Sequence, residues 1–244
     1  MEQWYNKIMS KRFIYLLSGI VLLLVFIFFS YLVHKDLFTQ LDFNNTVRLQ
    51  DHISRRFDLP FSILSTIGQF EFMAVILAVL FLVVRRIRAG IIAFVLFISF
   101  HLIEIFGKYF VHHPPPPQFM LRTQEMLQFP AYYVQNLNSY PSGHAGRAMF
   151  VSTICFILIW QSRRFGMITK VVLTVLLVGY DITMLVSRVY LGEHWTSDVI
   201  GGTILGSALG LFMGVFLTDK STVSHEGKKK SFFPKYKIEI KRVE

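Results

Sequence analysis

Ionisable and hydroxyl side chains recur in three short segments of the second half of the sequence. The segments contain Lys108, Pro141-Ser142-Gly143-His144, and the run from Ser187 to Asp198. Arg188 can grip two phosphate oxygens through its guanidinium fork, and Lys108 adds a point charge. The backbone N–H groups of Ser142 and Gly143 form an anion site if a helix begins there, and Ser142 can cap that helix. These groups predict a phosphate-binding site.

Two histidines and a carboxylate in the same segments can supply the chemistry of phosphoryl transfer. His194 and Asp198 are four residues apart, so they share a face if a helix begins near them. A carboxylate on one imidazole nitrogen fixes the tautomer and makes the other nitrogen a better nucleophile. His144 then protonates the leaving oxygen as general acid. The arrangement predicts a phosphohistidine, which water hydrolyses with His144 acting as base.

The rest of the sequence consists mostly of apolar segments. Hydrophobic residues make up 53% of the chain and charged residues 16%, whereas soluble domains average about 25% charged residues. Six segments approach the roughly 20 residues that the hydrocarbon core of a bilayer requires. They are Phe13–Val33, Phe61–Val84, Ala89–Val111, Ala145–Trp160, Met167–Val186 and Asp198–Leu217. We therefore expect an all-α fold, a bundle of six transmembrane helices over residues 13–218.

Basic residues cluster in alternate segments between the predicted spans. The clusters are Lys7, Lys11 and Arg12, then Arg85, Arg86 and Arg88, then Arg163 and Arg164, and finally Lys228, Lys229 and Lys230. The positive-inside rule places the N-terminal segment 1–12 and a flexible basic tail, 219–244, in the cytoplasm. The phosphate-site segments then lie on the extracytoplasmic side of the cell membrane. Because apolar spans separate the clusters, the net charge of +10 does not indicate a nucleic-acid surface.

Small residues also follow a pattern. Gly202, Gly206, Gly210 and Gly214 recur every four residues in the sixth span, which predicts a groove that another helix approaches closely. We expect that helix to belong to the same chain, with a dimer seam as the alternative and the oligomeric state left open. The single cysteine, Cys155, excludes an intramolecular disulfide and any metal site built on several cysteines.

The three segments together resemble the type 2 phosphatidic acid phosphatase (PAP2) family, whose fold vanadium haloperoxidases share. The third family motif is Ser-Arg, five residues, His, three residues, Asp, and it is matched in full by Ser187, Arg188, His194 and Asp198. The second, Pro-Ser-Gly-His, is matched by residues 141–144. In the first, Lys followed after six residues by Arg-Pro, Lys108 is present but Pro115 occupies the arginine position.

The resemblance covers the third to the sixth predicted span and implies a role for each matched residue. His194 would be the nucleophile, Asp198 its orienting partner and His144 the acid. Phosphate would be bound by Lys108, Ser142, Gly143 and Arg188. Catalysis would require neither a metal ion nor another cofactor.

The proline at position 115 removes one charge-assisted contact with phosphate, worth about 1.5–3 kcal/mol. Arg122, seven residues later, is a candidate replacement, and His113 is a further candidate donor to phosphate. Glu104 lies one helical turn before Lys108, so it is a candidate for orienting that lysine.

The predicted substrate is a lipid whose phosphate lies at the bilayer surface. Undecaprenyl pyrophosphate, phosphatidylglycerol phosphate and phosphatidic acid are the candidates, by analogy with the family. A phosphotransferase would use the same intermediate but pass the phosphoryl group to another lipid. A non-catalytic lipid-phosphate binder or transporter is the third hypothesis. The missing arginine favours it, whereas the intact His194–Asp198 pair argues against it.

Overall fold

The structure, a computed structural model, describes residues 2–124 and 138–218, with side chains from residue 9 onward. These ranges contain eight α-helices and no strand, so the predicted all-α class is confirmed. The helices are α1 (Glu2–His34), α2 (Thr39–His52), α3 (Asp58–Ile67), α4 (Phe70–Val83), α5 (Ile87–Phe110), α6 (Gly143–Gln161), α7 (Met167–Tyr190) and α8 (Thr196–Leu217). The predicted basic tail, 219–244, lies outside the described residues.

Five helices, α1 and α5 to α8, are long and apolar enough to cross a membrane. The second predicted span, Phe61–Val84, is not one continuous helix as expected, because α3 and α4 meet at a bend of 57°. The break falls at Gly68, where a Cβ atom would lie 2.9 Å from Cδ2 of His144. The carbonyl of Gly68 accepts a hydrogen bond from Nε of Arg147 at 3.1 Å. The chain therefore leaves helical geometry where it packs against α6.

The centre of the bundle is formed by α6 and α8. In the most apolar 18 residues of each of these helices, 56% are buried, compared with 6% in α7. Their close approach depends on the glycines of α8. A Cβ atom on Gly206 would collide with the backbone of Gly146, and one on Gly202 would collide with the carbonyl of Ser142. The predicted glycine groove is thus confirmed, and a helix of the same chain occupies it.

The two ends of the bundle differ in chemistry. At the C-terminal end of α8, Arg12 and Arg86 donate to the carbonyls of Thr218 and Leu217 at 2.9 and 2.8 Å, which suits the negative end of a helix dipole. At the other end, α2, which lies between the first two predicted spans, contacts α7 and α8. This second end carries the predicted site.

Candidate active site

The three predicted segments meet at the end of the bundle that α2 covers. The backbone N–H of Ser142 donates to the carbonyl of Asp198 at 3.0 Å, which joins the start of α6 to the start of α8. Lys108, near the end of α5, is joined to α6 through Glu104, whose carboxylate contacts both Lys108 and Arg147. Residues from three distant parts of the sequence therefore line one site.

His194 lies in the turn before α8 and is only 9% exposed. Its Nδ1 atom is 3.5 Å from Oδ2 of Asp198, and catalytic contacts of this length commonly tighten in the substrate complex. Burial, together with the charges of Arg188 and Lys108, lowers the pKa of His194 below 6.5, although Asp198 opposes the shift. The imidazole is therefore neutral at pH 7 and keeps the lone pair that a nucleophile needs.

Asp198 is fully buried and is the third residue of α8. Its Oδ2 atom accepts the backbone N–H of Trp195 at 2.9 Å, an arrangement in which an acidic side chain caps its own helix. The helix begins at Thr196, two residues earlier than predicted, and His194 precedes it. The cap, and not a shared helix face, therefore turns Asp198 toward His194.

His144 is the second residue of α6 and is half-buried. It lies within electrostatic range of His194 and of the cations Arg188, Arg147 and Lys108. The structure thus places both predicted catalytic histidines among the same positive charges. This position suits a group that exchanges a proton with a phosphate ester.

Arg188, at the end of α7, is fully buried. Its Nη1 donates to Oγ of Ser65 in α3, and its Nη2 contacts the carboxylate of Glu193. Its Nε has no hydrogen-bond partner in the part of the chain that the structure describes. Buried donors are nearly always paired, so this N–H suits an acceptor supplied by a ligand, and phosphate oxygens match guanidinium groups well.

Glu104 is a buried anion between several basic groups. Its Oε1 is 3.0 Å from Nζ of Lys108, and its Oε2 is 2.8 Å from Nη1 of Arg147 and 3.2 Å from Nδ1 of His101. The predicted contact between Glu104 and Lys108 is therefore present. The carboxylate also lies where a side chain on Gly143 would be, so the glycine makes room for Glu104 at the start of α6.

Ser142 differs from expectation in two respects. It precedes α6 as predicted, but its hydroxyl makes no capping hydrogen bond, and its backbone N–H is already donated to Asp198. The predicted cap, and the predicted use of that N–H for phosphate, are wrong for this structure. The buried hydroxyl has no partner among the described residues, so the side chain is the group of Ser142 that suits an anion.

A comparison with protein families agrees with this geometry. The model described as the PAP2 superfamily matches residues 88–221, more than half of the chain. The chain belongs to the PAP2 superfamily. The match includes all three PAP2 motif segments, which confirms the resemblance seen in the sequence.

Individual relatives are similar over different extents. An undecaprenyl-diphosphatase of Sulfolobus acidocaldarius is 35% identical over 140 residues, which are 56% of this chain and 60% of that protein's length. The crystal structure of a PAP2-type phosphatidylglycerolphosphate phosphatase from Bacillus subtilis has a TM-score of 0.64 at 21% identity, covering 88% of this chain and 99% of that one. LpxE of Aquifex aeolicus has a TM-score of 0.53 at 20% identity, covering 71% and 94%.

Pro115, which occupies the arginine position of the first PAP2 motif, is exposed. Of the two candidate substitutes, Arg122 stacks over the ring of Tyr190 at 5.1 Å and has a buried Nη1 with no partner in the described ranges. His113 contacts Asp198 through Nε2, which lies 3.5 Å from Oδ1, whereas His194 contacts the other oxygen, Oδ2. The structure therefore does not direct His113 toward a phosphate on His194.

Several residues at this PAP2 site were not predicted. Arg147 gave a signal that could have been used, because a charged residue inside a transmembrane helix is costly and usually functional. Ser65, Asp42 and Ser197 gave none, since single polar residues near helix ends are common. Within the described ranges, no three His, Cys, Asp or Glu side chains are arranged to hold a metal ion.

Proposed function

We propose that this chain is an integral membrane phosphatase that hydrolyses the phosphomonoester or pyrophosphate of a lipid. The observation that carries the proposal is His194, a buried imidazole that faces Asp198 on one side and lies within the field of Arg188 and Lys108. A neutral, oriented imidazole beside cations is suited to attack a phosphate. Membership of the PAP2 superfamily supports the same chemistry.

In the proposed reaction, Nε2 of His194 attacks phosphorus and forms a phosphohistidine while the bond to the leaving oxygen breaks. His144 donates its proton to that oxygen. Water then attacks phosphorus, the N–P bond breaks and His144 takes up the proton of the water. Asp198 holds the Nδ1–H of His194 throughout, and Lys108, Arg188 and Ser142 bind the phosphate oxygens. The steps require no metal ion or other cofactor.

Undecaprenyl pyrophosphate is the first candidate substrate, because the Sulfolobus relative is named an undecaprenyl-diphosphatase. Phosphatidylglycerol phosphate and phosphatidic acid are the others. A site at the end of a transmembrane bundle suits a phosphate at the bilayer surface, with the lipid tail left in the membrane. We assign no soluble partner and no nucleic acid.

We also propose that the site faces outward from the cell membrane and that both termini are cytoplasmic. The clusters containing Arg86 and Arg163 lie at the bundle end opposite His194, as the positive-inside rule requires. Single cysteines at Phe119 and at Gly166, in a Cys155→Ala background, would test this in intact cells. An impermeant maleimide is expected to label the first and not the second, and the reverse pattern would invert the topology.

The activity is tested by phosphate release from the three lipids, with the full chain purified in detergent and a chelator present. Wild type is expected to release phosphate, and His194→Ala is expected to lose the activity. Release that requires an added metal ion would contradict the metal-free mechanism. Label that moves from the substrate to a second lipid would favour the phosphotransferase. Lipid binding without turnover would favour the binder or transporter.

A further inference from the structure

A second buried carboxylate lies behind the catalytic pair. Asp42 of α2 is 1% exposed, and both of its oxygens bind Ser197 of α8. Its Oδ1 accepts the backbone N–H of Ser197 at 2.8 Å, and its Oδ2 accepts the hydroxyl at 2.6 Å. The contact joins residues that are 155 positions apart and brings Asp42 close to Asp198.

His113 lies between the two carboxylates. Its Nε2 is 3.5 Å from Oδ2 of Asp42, 3.5 Å from Oδ1 of Asp198 and 3.0 Å from Oγ of Ser197. The ring is 4% exposed. Two buried carboxylates at one place repel each other strongly unless a cation or a proton lies between them, and the imidazolium of His113 supplies that charge.

We propose that His113 is a positioning residue that bridges Asp42 and Asp198 and so keeps Asp198 aimed at His194. Each oxygen of Asp198 then has a separate task, since Oδ1 faces His113 while Oδ2 faces His194 and the N–H of Trp195. Without the bridge, Asp198 would share a buried site with Asp42 with no cation between them, and repulsion would turn its carboxylate away from His194. A carboxylate that is turned away cannot stabilise the positive charge that develops on His194. The inference rests on the proposed function.

The charged groups facing His113 all act in the same direction. Asp42 and Asp36 belong to α2 and the turn before it, and Asp198 belongs to α8, with His194 beyond it. Burial opposes protonation, but the contact with Asp42 and the three negative charges outweigh it and raise the pKa of His113. As pH rises through this pKa the imidazolium is lost, so kcat should fall on the alkaline side.

The test compares His113→Gln with His52→Gln, a matched change of an exposed histidine on α2 whose ring contacts the carbonyl of Arg48 in its own helix. The full chain in detergent is assayed from pH 5 to pH 9. His113→Gln is expected to lower kcat by about 10- to 100-fold, the loss that is typical when the hydrogen-bond partner of a metal-ligating histidine is removed. KM, and inhibition by inorganic phosphate, should remain within about threefold, because a residue that acts only through Asp198 does not contribute to ground-state binding. His52→Gln should match wild type.

Asp42→Asn serves as a second variant in case His113→Gln does not fold. Removal of one carboxylate should move the alkaline fall in kcat to lower pH. The titration of His113 itself, followed by NMR of labelled histidine, should shift in the same direction. That titration remains measurable even if wild type releases no phosphate, so it separates this inference from the proposed function. An unmoved titration in Asp42→Asn, or a large rise in the phosphate inhibition constant in His113→Gln, would overturn the proposal.

Discussion

At the residue scale, the site is dominated by cations held at a depth where charge is costly. Lys108, Arg147 and Arg188 converge near the two histidines, and Glu104 and Glu193 contact them. Buried charges are tolerated when they are paired, and charged residues at membrane depth usually mark functional sites. On the proposed function, this network would hold the cations in place before a phosphate binds.

Glu104→Gln tests whether Glu104 holds Lys108 and Arg147 in place. The change keeps the shape of the side chain but leaves Lys108 and Arg147 without a buried counterion. We expect kcat/KM to fall by on the order of 10-fold or more, because a charge-assisted hydrogen bond contributes about 1.5–3 kcal/mol. The melting temperature should also fall. Glu71→Gln, which changes an exposed glutamate of α4, is the control, and equal effects in both variants would contradict this role.

The pH dependence of kcat/KM tests the electrostatic state of His194. Burial and the charges of Arg188 and Lys108 lower its pKa below 6.5. The neutral imidazole therefore persists below pH 6.5, and on the acid limb of the pH profile kcat/KM should begin to fall only at a pH lower than this. Lys108→Met removes one charge and should move that limb toward 6.5, in addition to weakening binding. Lys35→Met, at an exposed lysine, should leave the limb in place. A limb unchanged by Lys108→Met would refute the assignment.

Sequence reasoning found the residues that occur in motifs and missed those that work through contacts. Lys108, Arg188, His144, His194 and Asp198 were predicted, and they meet in one place. Arg147 and Ser65 were not, because their contribution depends on which helices lie side by side. The roles predicted for Ser142 were partly wrong, because its backbone N–H bonds to Asp198, a residue far away in the sequence.

At the element scale, contact between α6 and α8 sets the geometry of the site. Gly206→Ala would bring a methyl group into the backbone of Gly146. We expect a loss of stability of about 1–3 kcal/mol, the usual cost of overpacking a core. Gly179→Ala is the matched control, since no atom lies within 4 Å of a Cβ there, and alanine favours a helix. Thermal unfolding in detergent should separate the variants, and equal melting temperatures would argue against close packing.

The spans show what hydropathy alone can predict. Five of the six predicted segments correspond to single helices because continuous apolarity at that length requires internal hydrogen bonding in lipid. The polar residues around Gly68 (Ser65, Thr66 and Gln69) mark a weak point in this segment, but hydropathy averaged over a whole span does not show that the chain bends there. The bend depends on His144 and Arg147 packing against that point of the chain. Composition therefore predicts which segments enter the membrane, while packing decides where they bend.

At the scale of the whole molecule, the site extends beyond the region that the family model matches. Asp42, Ser65 and Gly68 contact site residues from positions before residue 88, and Gln50 donates to the carbonyls of Met120 and Tyr190. We expect a fragment of residues 88–244 to release no phosphate when expressed alone. Coexpression with residues 1–87 should restore activity in membranes. Full activity of the isolated fragment would contradict this dependence.

The hydrogen bond between the N–H of Ser142 and the carbonyl of Asp198 also affects how such an enzyme can diverge. Because the bond joins main-chain atoms, it persists through nearly any side-chain replacement except one that introduces proline at position 142. The spacing between His144 and His194 is therefore little affected by substitutions in the side chains around them. A lineage could therefore replace the arginine of the first motif with a proline, as at position 115, while the two histidines keep their spacing.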